Sequence, residues 1–122
     1  MSLASVPNAV AAVELYFQAV HERDLDKFDQ VFHPSASLFN ATDETFTAMP
    51  VGTYREIFSQ SQSPASVGQP RDDEMISIDF LSPNSAVAKV RLRVHDTTFM
   101  DHLSLVNVDG AFRIVAKTWH VV

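Results

Sequence analysis

Residues 99–120, FMDHLSLVNVDGAFRIVAKTWH, hold the local pattern that decides the fold. Two stretches in which apolar and polar residues alternate flank the dipeptide Asp109-Gly110. Alternation with a period of two is typical of a half-buried strand, and Asp-Gly between two such stretches is a strong hairpin signal. The pattern therefore predicts two antiparallel strands, Thr98 to Val108 and Ala111 to Val121, joined by a two-residue turn.

A two-residue turn also predicts which residues share a face of this hairpin. Counting outward from the turn places Leu105 opposite Ile114 and Asp101 opposite Thr118. A second turn at Asp96-Thr97 would add the preceding strand to the same sheet. One face then becomes an almost purely apolar wall, expected to lie under the helices. Its apolar members are Ala86, Ala88, Val90, Leu92, Val94, Phe99, Leu103, Leu105, Phe112, Ile114 and Ala116.

Two ionisable residues interrupt this wall, Asp101 and His120. In the predicted register they are diagonal neighbours on adjacent strands, about 7–8 Å apart at Cα, a distance that side chains can close. An apolar pocket disfavours the charged form of a carboxyl group, and a nearby imidazole can offset that effect. The two residues are therefore candidates for a catalytic acid–base pair, and a structural pair at the floor of a pocket is the alternative.

The opposite face of the predicted sheet is basic and partly apolar. Met100, Lys117 and Trp119 fall on it in this register. Large apolar residues on an otherwise polar face suggest burial against another subunit, so a homodimer through this face is expected. A basic stripe on the same face, formed by Lys89, Arg91, Arg93 and Arg113, is interpreted as a solvated or interface surface.

Upstream of the hairpin, the first part of the chain reads as helix. Residues 6–22 show apolar residues at helical spacing, and Asp24 can cap a short second helix that ends at His33-Pro34. A T-x-x-E capping box beginning at Thr53 predicts a third helix to about Gln60. The apolar stripe of the first helix comprises Val6, Val10, Val13, Phe17 and Val20, and that of the second comprises Leu25, Phe28, Val31 and Phe32.

The remaining segments read as strands and one long loop. Short strands are predicted at Ser37–Asn40 and Glu44–Met49. Ser59–Pro70 is predicted to be a loop, which is either a mobile lid or a connection without a role of its own. Alternation then predicts strands at Asp73–Leu81, with Ile76, Ile78 and Phe80 as its apolar positions, and at Ala86–Val94. Helices set apart from an antiparallel sheet indicate an α+β fold.

Composition sets outer limits on function. The 122 residues carry a net charge of −6 and include no cysteine. One domain spanning residues 1–122 is expected. Net acidity argues against nucleic-acid and anionic-membrane partners, and the lack of cysteine excludes disulfides and thiolate chemistry. No apolar run is long enough for a membrane span and no basic segment begins a signal peptide, so a cytoplasmic location is expected.

Nearly the whole chain, from about residue 8 to residue 120, resembles the putative lumazine-binding family of the nuclear-transport-factor-2-like (NTF2-like) superfamily. That resemblance implies a cone in which three N-terminal helices pack on the concave face of a curved, mostly antiparallel sheet, often dimerised through the convex face. It rests on residues 16–20 (YFQAV), 31–36 (VFHPSA), 76–79 (ISID), 86–90 (AVAKV), 99–105 (FMDHLSL) and 109–120 (DGAFRIVAKTWH).

Three functions follow as hypotheses. The first is a binding protein for a small molecule, with a flat heteroaromatic compound as one candidate and with no cofactor. The second is an enzyme similar to ketosteroid isomerases or dehydratases, with Asp101 as general base and His120 as its partner. The third is a domain whose only role is dimerisation. The expected ligand-binding residues are Tyr16, His33, Tyr54, Leu92, Phe99, Leu103 and Thr118.

Metal and nucleotide chemistry have little support in the sequence. The five histidines show no H-x-H or H-E-x-x-H spacing, so no metal site is predicted from local motifs. A site assembled in three dimensions from His33, Asp101 and His120 is the one alternative. With three glycines in the chain and no glycine-rich phosphate loop, nucleotide binding is unsupported.

Overall fold

The computed structural model describes residues 5–122, which form six strands, three α-helices and one short 3-10 helix. In chain order the elements are α1 (Ser5–Glu22), α2 (Leu25–Val31), β1 (Phe32–Thr42), β2 (Thr45–Pro50), α3 (Val51–Gln60), the 3-10 helix (Ala65–Val67), β3 (Asp73–Ser82), β4 (Ser85–Val94), β5 (Thr97–Val108) and β6 (Ala111–Val121). No helix within residues 5–122 combines the length and apolar character that crossing a membrane requires.

All six strands belong to one sheet, in the order β2-β1-β6-β5-β4-β3. Neighbouring strands are antiparallel except β1 and β6, which pair in parallel. The predicted α+β class and the four-stranded meander β3–β6 are therefore confirmed. The helices are not all N-terminal, however, because α3 follows the β1–β2 hairpin and packs on those two strands.

The helix α1 packs on β4 and β6. The buried stripe of this helix differs from the predicted stripe in its first turns. Val13, Phe17 and Val20 are buried as expected. Val6 and Val10 are each 37% exposed, and the small side chains Ala9 and Ala12 are buried instead. Alanine lets the helix backbone approach the sheet closely, so the first turns present their smallest residues inward. The larger valines lie to the side.

Two predicted helix starts have different outcomes. The Asp24 carboxylate accepts a hydrogen bond from the Lys27 backbone N–H at 3.1 Å, which confirms the cap of α2. The predicted capping box at Thr53 is wrong, because α3 already begins at Val51. Pro50 precedes the helix in an extended conformation, so β2 runs directly into α3 with no side-chain cap. Its fixed φ suits this junction.

The β5–β6 hairpin turns at Asp109-Gly110 as predicted, but its register then changes by one residue. Leu105 pairs with Ile114, whereas Ser104 pairs with Ala116, which leaves Val115 without an opposite residue. This is a β-bulge, and beyond it every side chain of β6 points to the face opposite to the one predicted. Ala116 consequently leaves the apolar wall.

The bulge overturns the most informative prediction made from the hairpin. Asp101 faces Trp119 across the strands, not Thr118, and His120 faces Met100 on the convex side. Lys117 is buried, and His120 is exposed. Asp101 and His120 therefore lie on opposite faces of the sheet and cannot form the predicted pair.

The β4–β5 register also differs from the prediction, but by two residues, which preserves the faces. The turn lies at His95-Asp96, one position before the predicted Asp96-Thr97, and Leu92 pairs with Phe99. Because side chains alternate with a period of two, a shift of two leaves each residue on its predicted side. The apolar wall is thus confirmed for both of these strands.

A second bulge changes the predicted face of one residue in β3. Met75 pairs with Val90 and Ser77 pairs with Lys89, so Ile76 has no opposite residue. Ile76 is 46% exposed, whereas Met75 packs against the core. The prediction that Ile76 points inward is therefore wrong.

The predicted loop between α3 and β3 is partly ordered by the β4–β5 turn. The Gln69 side-chain amide donates to the His95 carbonyl at 3.1 Å and accepts from the His95 backbone N–H at 2.9 Å. The His95 ring Nε2 lies 2.9 Å from the Gln62 carbonyl oxygen. These contacts hold the loop against the β4–β5 turn at the end of the sheet.

Candidate functional site

A cavity of about 270 Å³ lies between the helices and the concave face of the sheet. Most of its wall is apolar, with charged and phenolic groups contributed by α1, α3, β5 and β6. The residues that line it are Tyr16, Val20, Arg23, Leu38, Met49, Tyr54, Ile57, Leu92, Val94, Phe99, Asp101, Lys117 and Trp119.

An aromatic cluster fixes the helix wall of this cavity. The Phe28 ring lies 4.5 Å from the Phe32 ring and 4.8 Å from the Phe58 ring, measured between centroids. Tyr54 packs on the same cluster, 5.7 Å from Phe28. Such aromatic packing in well-defined rotamers gives Tyr54 a fixed position at the cavity wall.

Asp101 is the acidic group of the site and is 2% exposed. The Tyr16 hydroxyl donates a hydrogen bond of 2.6 Å to its Oδ2 atom. The Lys117 Nζ atom is 3.9 Å from the same oxygen. The other oxygen, Oδ1, is buried and has no hydrogen-bond partner within residues 5–122. Oδ2 therefore has a hydrogen-bond donor and a nearby cation, whereas Oδ1 has no hydrogen-bond partner within the described residues.

Lys117 is 7% exposed and supplies the positive charge next to Asp101. Its Nζ donates to the Tyr54 hydroxyl at 3.3 Å and lies 4.6 Å from the centre of the Tyr54 ring. It also lies 5.3 Å from the centre of the Tyr16 ring, and both aromatic faces favour a cation.

The ionisation of this cluster follows from its burial and its partners. Burial alone would lower the pKa of Lys117, but the neighbouring Tyr54 and Asp101 oxygens outweigh it, so that the pKa is raised above its ordinary value. Burial, together with the charge of Asp101, raises the pKa of Tyr16 well above its ordinary value. At neutral pH the site therefore holds an ammonium group at Lys117 and a neutral phenol, acting as a donor, at Tyr16.

Arg23 contributes a second cation and comes from the turn between α1 and α2. Its guanidinium lies 4.7 Å from the centre of the Phe58 ring. The Nε atom is buried and finds no hydrogen-bond partner within the described part of the chain. Nothing in the local pattern marks this residue as a cavity residue, because turns between helices are usually solvated.

Five of the predicted site residues line the cavity together: Tyr16, Tyr54, Leu92, Phe99 and Asp101. They lie on α1, α3, β4 and β5. Apolar alternation predicts the inner side for Leu92, Phe99 and Asp101. Tyr16 flanks the predicted stripe of the first helix, so for it, as for Tyr54 on the third helix, the sequence indicates only that the hydroxyl can point into the cavity. A contribution of these residues to binding or catalysis remains a proposal.

The other predicted site residues lie elsewhere. Leu103 is completely buried in the core and does not line the cavity. Thr118 and His120 are exposed on the convex face, because the bulge at Val115 reverses their orientation. The His33 ring lies near the start of β1, where its Nδ1 accepts a hydrogen bond from the Ser35 backbone N–H at 3.0 Å.

These positions also change two further predictions. Asp101 is inside the cone while His120 is outside it, so the metal site considered for these residues with His33 is not assembled. Of the three residues predicted to form a dimer surface, Lys117 and Trp119 line the cavity, and only Met100 stays on the convex face.

Comparison with known proteins identifies the family to which the chain belongs. A family model described as "Putative lumazine-binding" matches residues 5–120. The chain belongs to this family. Among curated proteins, it is similar to an aldolase, FrzH, of Cladobotryum sp., with 21% identity over 113 residues that cover 91% of this chain and 86% of the relative.

Solved structures show the same NTF2-like fold. A protein of unknown function from Silicibacter pomeroyi DSS-3 superposes with a TM-score of 0.86 at 17% identity, over the full length of both chains. One from Shewanella baltica OS155 has a TM-score of 0.86 at 18% identity, covering 100% of this chain and 97% of the other. A ketosteroid isomerase-like protein from Erwinia carotovora atroseptica SCRI1043 has a TM-score of 0.74 at 12% identity, covering 99% and 98%.

Proposed function

We propose that this protein binds a small, mostly apolar molecule in the cone cavity and holds its polar end at Asp101 and Lys117. The observation that carries the proposal is that Asp101, whose Oδ1 atom is buried without a partner within residues 5–122, lines an apolar cavity. A buried polar atom with no partner costs about 1–3 kcal/mol. A ligand that donates a hydrogen bond to this oxygen would recover that free energy.

The size and walls of the cavity narrow the class of ligand. Its volume of about 270 Å³ lies just below the range for small-molecule sites, which begins at about 300 Å³, so the ligand should be small. The rings of Tyr54, Phe99 and Trp119 contribute to its wall, and flat aromatic surfaces favour a flat ligand. This agrees with the family's description, so a small heteroaromatic compound such as lumazine is the first probe.

Filling the cavity should abolish binding. Val94 lies on β4 and lines the cavity, so Val94→Trp is expected to weaken binding of lumazine, or of another flat aromatic hit, by at least about tenfold, because the indole occupies the ligand's volume. Calorimetric titration and ligand-induced shifts in melting temperature measure the effect.

Val87→Trp is the matched control for this experiment. Val87 lies on the same strand but on the convex face, where it is 41% exposed. It should leave the affinity unchanged. Equal loss of affinity in both variants, or unchanged affinity in Val94→Trp, would show that the ligand does not occupy the cone.

A second candidate function, proton transfer next to a carbonyl group, is favoured by the unequal surroundings of the two Asp101 oxygens. Oδ2 is held by Tyr16 and Lys117, while Oδ1 is unpaired. Oδ1 would remove a proton from the carbon next to a substrate carbonyl, and the electron pair would move onto the carbonyl oxygen. The Lys117 ammonium and the Tyr54 hydroxyl would stabilise the resulting enolate. The similarity to an aldolase supports this candidate, because aldol chemistry also proceeds through such a carbanion equivalent.

Asp101→Asn tests this candidate. If Asp101 is the base, the wild-type protein should accelerate exchange of the α-protons of 2-indanone in D₂O, measured by NMR. Loss of a general base should slow the exchange by about 10²–10⁴-fold. His120→Asn is the control, because this exposed histidine should leave the rate unchanged. A wild-type rate equal to that of buffer, or an undiminished rate in Asp101→Asn, would reject this candidate and leave the binding function in place.

A further inference from the structure

We infer that the ligand of the cone cavity carries a carboxylate group that Arg23 binds. This inference rests on the proposed binding function and specifies the chemistry of its ligand. Three features of Arg23 lead to it: its backbone conformation, the absence of an acidic partner within residues 5–122 and the charge balance of the cavity.

The backbone of Arg23 is the first of these features. The Asp24 N–H bonds to the Ala19 carbonyl at 3.1 Å, and Arg23 has a φ of 51°. This pattern is a Schellman cap, in which the left-handed position is normally glycine or asparagine. A side chain with a Cβ atom is unfavourable there. Such an outlier often marks a functional position, and here the long cationic side chain reaches the cavity.

The second feature is the contrast between Arg23 and the other arginines. Arg55, Arg71 and Arg91 each form ion pairs with carboxylates. Arg93 and Arg113 donate to backbone carbonyl oxygens. Within residues 5–122, Arg23 forms neither kind of contact and rests on the Phe58 ring with its Nε buried. Burial of Nε without an acceptor is costly and is shared with Arg113, but of these two residues only Arg23 lines the cone cavity, where its half-buried guanidinium can meet a ligand acceptor.

The third feature is charge balance in a mostly apolar site. Lys117 and Arg23 carry two positive charges, and Asp101 carries one negative charge among the lining residues. The positive charge of Arg23 acts on this cluster. It lowers the pKa of both Tyr16 and Lys117, although other contributions outweigh it and both pKa values are raised. One positive charge therefore remains uncompensated, and a ligand with one negative charge neutralises it.

A carboxylate fits these features better than a phosphate. The planar guanidinium fork matches the two oxygens of a carboxylate. A phosphomonoester carries close to two negative charges at neutral pH, one more than the excess in the cavity. The small volume also favours an aromatic acid of one or two rings over a phosphorylated compound.

The test compares 2-naphthoate with 2-naphthamide, which differ in charge but hardly in shape. Binding of both compounds to the intact protein is measured by isothermal titration calorimetry. The wild-type protein should bind the acid at least about tenfold more tightly than the amide, the size expected for hydrogen bonds to a charged group. Arg23→Met should abolish this preference and keep the affinity for the amide.

Two further variants separate the role of Arg23 from general effects of charge and folding. Lys89→Met removes one positive charge from the convex face and should keep the preference for the acid. Arg23→Gly suits the left-handed backbone, so it should fold at least as stably as the wild-type protein and yet lose the preference.

The possible results distinguish this inference from the proposed function. Equal affinity of the wild-type protein for both compounds, or a preference retained in Arg23→Met and Arg23→Gly, overturns the inference while the binding function stands. Binding of neither compound overturns the inference, and the lumazine titration then decides the binding function separately. Loss of the preference in Lys89→Met as well would assign it to the overall charge of the protein, which also overturns the role of Arg23.

Discussion

Lys117→Met is expected to lower the free energy of unfolding by about 3–5 kcal/mol, the usual cost of breaking a buried ion pair from one side. The side chains of Lys117 and Asp101 are 9% and 1% exposed, so water cannot replace the lost ammonium group. The carboxylate would keep its bond from Tyr16 but lose the only cation within 4 Å of it among the described residues. Urea unfolding measures the effect.

The double variant Asp101→Leu/Lys117→Met shows whether the loss comes from the stranded charge. Replacing both members of a buried pair by apolar residues of similar size is often neutral or stabilising. We therefore expect the double variant to recover most of the stability lost in Lys117→Met. Lys89→Met, at an exposed site on the convex face, should change stability by less than about 0.5 kcal/mol. A loss below about 1 kcal/mol in Lys117→Met would contradict the buried pair.

A steep loss of stability in alkali is the second large expected effect. In the unfolded chain, Tyr16 and Lys117 should release their protons near their reference pKa values of 10.0 and 10.5. In the folded protein both pKa values are raised, so the folded state keeps protons that the unfolded state has lost. Stability is therefore complete below about pH 10 and falls as the pH rises further. Each group contributes up to about 1.4 kcal/mol per pH unit, or about 2.7 together.

Urea unfolding at a series of pH values between 8 and 11.5 measures this slope. Tyr16→Phe removes one of the two protons and should reduce the slope by up to about 1.4 kcal/mol per pH unit. The comparison is made within each variant, because Tyr16→Phe also removes the hydrogen bond to Asp101 and lowers stability at every pH. Identical slopes for the two proteins would contradict the raised pKa of Tyr16.

Much of the fold is readable from local pattern. Helical spacing around Val13 and Phe17 predicts α1, the Asp24 cap predicts the start of α2, and Asp109-Gly110 predicts the final hairpin. These signals are local, because each depends on residues within one turn of helix or one strand pair. They place Asp101 and the apolar wall on the inner side of the cone, and Tyr16 beside the inner stripe of α1.

The composition of the site was less predictable, because two of its cations depend on features without a local signal. Lys117 points inward only because Val115 is an extra residue in β6. The segment around Val115 contains no glycine, asparagine or proline that would suggest a bulge. Three consecutive apolar residues, 114–116, break its alternation, but the break alone does not tell which of them is the extra residue. Arg23 lies at a helix cap where glycine is usual, so its conformation is decided by the packing of α1 against α2.

By itself, the sequence determined the order of the elements, the hairpin turn and the acidic residue on the inner face, because these follow from spacings of two and of about 3.6 residues. The tertiary structure decided which residues accompany Asp101. A single bulged residue reverses the faces of a strand, and it forms where the whole sheet must bend around the helices. For this reason the buried pair consists of Asp101 and Lys117, and His120 lies on the outer face of the cone.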